Sequence, residues 1–272
     1  MTKEFNNTTD FIIEASKLIE PKYFEHYALI DAVSMIGYYQ MEFNDCYIIG
    51  NLKNWIIGFW FKDNYLIYGQ DWTKNQLKEL KNRVNFKNHL KGFHFIGTKK
   101  LITGIMENIN YSIFKERLFL SNSKNVKVSN LKNIAVIAEI ENLDEITKML
   151  CDYFEEEYKG KINKDFEEMR IETKKLIAKN SIWIINNEKE LISMCSIKSP
   201  SYNYPIIGSF FTKRNFRNKG FGTKLLQDVT EFLKNEFKIV NLLAEKSNIE
   251  SNIVFKKLNY KIIYETIDFI IE

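Results

Sequence analysis

Two glycines one residue apart close a basic turn, Arg217-Asn218-Lys219-Gly220-Phe221-Gly222. An apolar stretch, Tyr204 to Thr212, precedes the turn, and an amphipathic run with Leu225, Leu226, Val229, Phe232 and Leu233 follows it. A strand, a basic turn and a helix in that order can hold an anion. Residues without side chains let backbone N–H groups converge, and the helix start adds unpaired N–H groups at a positive dipole end. From residue 133 onward the chain has four glycines, and two of them frame this turn. The window Leu191 to Gln227 carries Lys198, Lys213, Arg214, Arg217, Lys219 and Lys224 and no acid, which points to the same class of ligand. The bland alternative is a packing turn beside a solvated lysine surface; the adjoining Arg217 and Lys219 favour the anion.

A second polar run follows at Asn248-Ile249-Glu250-Ser251-Asn252-Ile253-Val254-Phe255-Lys256-Lys257-Leu258-Asn259-Tyr260. Together the two segments resemble the GCN5-related N-acetyltransferase (GNAT) superfamily. The first fits its Arg/Gln-x-x-Gly-x-Gly/Ala signature, and the second is similar to the Asn-x-x-Ser-Asn run of its glycine N-acyltransferase-like branch. The resemblance covers residues 133–272. It implies an α/β layered fold with a mixed twisted sheet flanked by helices, and acetyl-CoA as the acyl donor. The diphosphate of the coenzyme would sit on the turn, at Arg217, Asn218, Lys219, Gly220, Phe221, Gly222 and Thr223. Its pantetheine arm would pair with the backbone of Ser209, Phe210 and Phe211, with Thr212, Asn248, Asn252 and Phe255 as further cofactor contacts. The strand carrying Phe210 is expected to part from the next, Ile239 to Ala244, and so open a slot.

What the resemblance implies for proton transfer is less complete. Many members carry a tyrosine acid where this chain has Phe255, which has no proton to give. Tyr260 or Tyr264, or water, are the replacements to consider. The expected strand carries no carboxylate, so Glu245 at the end of the next strand is the candidate base, acting through water. Asn259 stands where glycine is usual, and asparagine tolerates a left-handed helix end.

These groups need elements to position them. The second half reads as a short strand at Ile134–Ala138 and a helix with Leu143, Ile146, Met149, Leu150, Tyr153 and Phe154 on one face. A helix from Asp165 to Lys179 and strands at 181–186, 191–197 and 204–212 follow, with Asn186-Asn187-Glu188-Lys189 as a hairpin turn. Then come a helix at 222–237, a strand at 239–244, a helix at 250–258 and two strands at 260–264 and 267–271. In the first half, strands at 46–50, 55–61 and 65–68 precede a helix near 73–84, a strand at 93–97 and a helix at 99–106. This is a faint echo of the second half, as in a degenerate tandem copy. The polar stretch Ser121 to Asn130 marks the boundary, giving domains of 1–125 and 133–272.

Composition excludes several other functions. The 272 residues are 45% hydrophobic and 27% charged, enough for packed cores. Residues 1–132 hold 18 basic and 13 acidic side chains, and residues 133–272 hold 21 and 22. The net charge of +4 is too small to imply nucleic-acid binding. His26, His89 and His94 all lie in the first half, so the second half has no histidine for a triad or a zinc site. Cys46, Cys151 and Cys195 are odd in number and widely spaced, which suits reduced thiols. No long apolar span and no apolar leader is visible, so the expectation is a cytoplasmic protein with no membrane partner. The expected partner is a small-molecule or peptide amine, met by a monomer or homodimer. A non-catalytic acyl-CoA sensor and an aminoacyl transferase using charged tRNA are the competing readings.

Overall fold

The computed structural model describes residues 2–20, 22–84, 89–106, 109–123, 134–187, 190–198 and 204–272. The chain forms two compact units, 1–118 with 263–272, and 119–262. The first half runs β1 (Thr2–Glu4), α1 (Thr8–Ile19), α2 (Tyr23–Tyr38), β2 (Asp45–Gly50), β3 (Trp55–Phe61), β4 (Asn64–Gln70), α3 (Lys74–Val84), β5 (His94–Thr98), α4 (Lys99–Ile105) and β6 (Tyr111–Asn122). The second half runs β7 (Val136–Ile137), α5 (Leu143–Glu157), α6 (Phe166–Ala178), β8 (Ile182–Asn187), β9 (Glu190–Lys198), β10 (Ile206–Thr212), α7 (Phe221–Lys234), β11 (Val240–Glu245), α8 (Ile249–Lys257) and β12 (Lys261–Ile271). The succession β-α-α-β-β-β-α-β-α-β therefore occurs twice. The faint echo in the sequence is a full repeat of topology.

The strands of the first unit follow the order β1-β2-β3-β4-β5-β12, and those of the second the order β7-β8-β9-β10-β11 with the end of β6 beside β11. Each unit thus ends its sheet with a strand from the other half of the chain. Two final strands were expected at 260–264 and 267–271. The structure has one, because the polar Glu265 and Thr266 continue the β12 ladder, with Thr266 opposite Thr98 on β5. The expected strand at 134–138 shrinks to Val136–Ile137, both exposed against β8. Most of the proposed boundary segment, and Glu188 and Lys189 of the proposed hairpin turn, lie outside the described residues.

In the second unit, alternation along β8 assigns its two faces. Ile182 and Ile184 pack with Leu143, Ile146, Met149 and Leu150 of α5 and Met169 and Ile177 of α6. Trp183 points the other way and meets Phe232 of α7, ring centres 4.7 Å apart. Helices therefore cover both faces. α7 has a strongly one-sided pattern, with Leu225, Leu226, Val229 and Leu233 buried. Asp165 caps α6 by accepting from the Glu168 N–H at 3.0 Å. Asn259, at φ 64°, ends α8 in the left-handed conformation its type permits. Beyond it, the Asn122 side chain donates to the Leu258 carbonyl at 2.8 Å.

Candidate functional site

β10 and β11 begin as a parallel pair, with Ile206 opposite Asn241 and Ile207 opposite Leu242. The pairing ends there, although β10 continues to Thr212 and β11 to Glu245. The local cause is on the other edge of β10. Its register with β9 slips between Gly208 and Phe211, and Ser209 takes φ 47°. Such a bulge bends the strand that carries it. The parted strands leave a narrow cleft walled by Gly208, Ser209 and Phe210 on one side and Leu243, Ala244 and Glu245 on the other. Phe255 of α8 also lines it and packs on Phe210, ring centres 5.8 Å apart.

A larger cavity of about 650 Å³ adjoins the cleft, within the range of small-molecule sites. Its walls come from the end of β10, the turn after it, the start of α7, the start of α8 and the end of α5. The two glycines of the turn act differently. Gly220 has φ 86° with open space around it, so its role is conformational. A Cβ on Gly222 would lie 2.9 Å from Thr212 Oγ1 and 3.1 Å from Phe210 Cζ, so its role is to leave room. Gly220 is the N-cap of α7 and offers no side-chain acceptor to the first N–H groups of the helix. The turn is open to an anion.

The basic window is less free than its composition suggests. Lys213 pairs with Glu145 at 2.6 Å and Glu190 at 3.3 Å, Arg214 with Glu156 at 2.8 Å, and Lys224 with Asp228 at 2.5 Å. Arg217 donates to the Thr212 carbonyl at 2.9 Å and to Glu156 at 2.8 Å, and lies over the Phe211 ring. Lys213, Arg214 and Arg217 brace the turn against α5 and β9, while Lys224 pairs within α7. Lys219 stands 5.3 Å from the Phe216 ring centre and, among the described residues, has no acidic partner. Lys219 adjoins Gly220 but lines neither cavity; among the described residues, the cations that line the larger one are Lys159, Arg217 and Lys257, beside the open α7 start.

Of the residues singled out from the sequence, Phe210, Phe211, Thr212, Arg217, Asn218, Gly220, Phe221, Gly222, Thr223, Glu245 and Asn248 line the larger cavity. Asn248 also caps α8, accepting from the Ser251 N–H at 3.1 Å. Asn252 lines neither cavity; its amide donates at 3.2 Å to the carbonyls of Glu245 and Lys246 and so fixes the β11–α8 turn. Glu245 lines both cavities, accepts from the Ser247 hydroxyl at 3.3 Å, and keeps Oε2 away from solvent. Tyr260 is not brought to the site. It is buried, its hydroxyl shares a 2.7 Å hydrogen bond with Thr230, and burial pushes its phenol well above the ordinary range. Tyr264 belongs to the first unit, where its hydroxyl pairs with Thr98.

Sequence reasoning missed Tyr153, Glu156, Glu157, Ser247 and Ser251, all of which line the larger cavity. Tyr153 packs against the core of the unit, as the apolar face of its helix implies, and borders the cavity as well. Its position at the C-terminal end of that stripe, one turn before Glu157, is the signal that could have found it.

Among the described residues, the first unit lacks both features. β4 and β5 stay paired from Asn64–His94 to Ile67–Gly97, and the Gly69 N–H then donates to Thr98 Oγ1 at 3.0 Å. The start of α3 is capped by its own side chains: the Gln76 N–H donates to Thr73 Oγ1 at 3.2 Å, and the Thr73 N–H to Gln76 Oε1 at 2.7 Å. The repeat keeps the topology and closes the site.

No curated protein matches the chain. Among solved structures, it is similar to an acetyltransferase from the GNAT family of Colwellia psychrerythraea, with TM-score 0.65, 14% identity and 100% of each chain covered. It is also similar to a GCN5-related N-acetyltransferase from Sphaerobacter thermophilus, with TM-score 0.61, 11% identity and coverage of 99% and 94%. At such identities these likenesses speak for the fold. In sequence, residues 143–260 match the acetyltransferase (GNAT) family, and that stretch contains the turn, the parted strands and both cavities. The stretch that matches the acetyltransferase (GNAT) family lies within the second unit.

Proposed function

We propose that the second unit transfers an acetyl group from acetyl-CoA to a primary amine of a small molecule or peptide, by direct attack. The observation that carries this is the parting of β10 and β11 after Ile207 and Leu242, next to an uncapped helix start. A thioester donor has an anionic diphosphate and a slender amide-bearing arm, and the two features suit those two parts. Gly220, Gly222 and Thr223 at the α7 start, with Lys219, would hold the diphosphate. The β10 backbone at Ser209 to Phe211, released from β11, would pair with the arm as a strand partner does. The donor supplies the activated acyl group; the protein supplies position.

Glu245 closes the cleft where β11 ends, and its carboxylate is the proposed acceptor of the amine proton, through a water. Backbone N–H groups along the bulged part of β10 would meet the developing oxyanion. Phe210 and Phe255 keep the cleft floor apolar, which excludes water from a thioester that it would hydrolyse.

An acyl-CoA sensor would share the binding features and differ in turnover. Release of free thiol from acetyl-CoA, followed over a panel of alkylamines, amino acids and lysine peptides, separates the two. Amine-dependent release supports transfer. Tight binding of acetyl-CoA with no release over the panel would overturn transfer in favour of the sensor.

A further inference from the structure

Breaking a thioester leaves a thiolate, and the step is eased by a proton donor whose acidity is close to that of a thiol. Phe255 and Phe210 on the cleft floor have no such proton, and Tyr260 is tied to Thr230 away from both cavities. Among the described residues, two that carry hydroxyls line both the cleft and the larger cavity, Tyr153 and Ser251. A phenol has an ordinary pKa near 10, close to a thiol's, while an aliphatic hydroxyl is far too weak an acid to match it.

We infer that Tyr153 is the catalytic acid, donating its phenolic proton to the departing sulfur; this rests on the acetyl-transfer reading above. α5 holds the residue in place from both sides. One turn N-terminal, Met149 and Leu150 are buried in the core of the unit. Three residues C-terminal, Glu156 is held by Arg217 and Arg214 at 2.8 Å each. Glu157, one turn beyond Tyr153 on the same helix face, also lines both cavities. The balance is simple. The amine nitrogen forms a bond to the carbonyl carbon, and the carbon–sulfur bond breaks with its electron pair going to sulfur. Sulfur takes the Tyr153 proton and the amine proton passes to Glu245 through water; Glu245 then gives that proton to solvent and solvent returns one to the phenolate.

The test reads binding, which needs no knowledge of the acceptor. Calorimetry compares CoA with desulfo-CoA, which lacks the sulfur, for the wild type, Tyr153→Phe and Ser251→Ala, with melting curves to show that the variants fold. Tyr153→Phe keeps the ring and is expected to lose about tenfold in affinity for CoA while its affinity for desulfo-CoA stays that of the wild type. An unchanged CoA to desulfo-CoA ratio in Tyr153→Phe, or a ratio that falls in Ser251→Ala instead, would overturn the assignment alone. A wild type that binds neither compound would overturn the acetyl-CoA reading itself.

Discussion

The Arg217 guanidinium donates to the Glu156 carboxylate at 2.8 Å while its Nε holds the Thr212 carbonyl at 2.9 Å. One side chain therefore ties the end of β10, the anion turn and the end of α5 together. The arginine of the motif acts here as a brace, and it joins the two walls between which a donor would lie.

That arrangement yields an outcome opposite to simple charge counting. Glu156→Gln removes a negative charge beside the proposed anion site, so a purely Coulombic site would bind acetyl-CoA more tightly. A brace predicts weaker binding, by about three- to tenfold, because a charge-assisted bond to Arg217 is lost. Arg217→Ala should lose more than Glu156→Gln, and Arg217→Lys should not restore it, since a single ammonium cannot span Glu156 and Thr212 in the same geometry. Calorimetric affinities for the three variants check this.

The two glycines should fail in different ways. Gly220→Ala forces a side chain into φ 86° with free space around it, so stability falls by about 1 kcal/mol and the melting temperature drops with little loss of affinity per folded molecule. Gly222→Ala puts a methyl within 3 Å of Thr212 Oγ1, so the cost appears as lost acetyl-CoA affinity of roughly tenfold or more. Thermal melts and binding isotherms on both variants separate the two effects.

His26 gives the first unit a pH dependence. The imidazole is 1% exposed, ringed by Trp55, Tyr68 and Tyr264, and burial lowers its pKa from 6.5 to about 3. Above pH 6.5 the ring is neutral folded or unfolded, and stability is full. As pH falls from 6.5 toward 3 the unfolded chain takes a proton that the folded chain refuses, so stability declines, by roughly 3 kcal/mol at pH 4. His94, raised by its bond to Asp268, acts in the opposite sense: its stabilisation is complete below its unfolded pKa and fades as pH rises through the folded one. Urea unfolding at pH 7 and pH 4 should show a large acid loss in the wild type and a much smaller one in His26→Phe.

Much of the second unit was legible. Amphipathic spacing gave α5, α6 and α7 to within a few residues, and the glycines of the turn 217–222 marked it as a candidate anion turn, which the structure leaves uncapped at the start of α7. Other features were hidden for physical reasons. β6 was missed because Lys115-Glu116-Arg117 interrupts its apolar pattern, and Lys115 is nonetheless buried. The exchange of β6 and β12 between halves has no local signal, since a strand's composition does not name its neighbour. The basic window looked like an open cationic surface, yet its acidic partners Glu145, Glu156 and Glu190 come from other elements that only folding brings near. Tyr153 does pack against the core, as its spacing implies, but periodicity finds a helix face and cannot tell that part of the same side chain also borders an empty slot.

The first unit should not bind the donor, because Thr98 joins β4 to β5 and Thr73 and Gln76 cap α3. Titrating acetyl-CoA into the wild type and into Gly222→Trp by calorimetry therefore tests the central claim most directly. The account predicts one site per chain in the wild type and none in the variant, with both proteins folded by melting. Two sites per chain, no heat from the wild type, or unchanged binding by Gly222→Trp would contradict it.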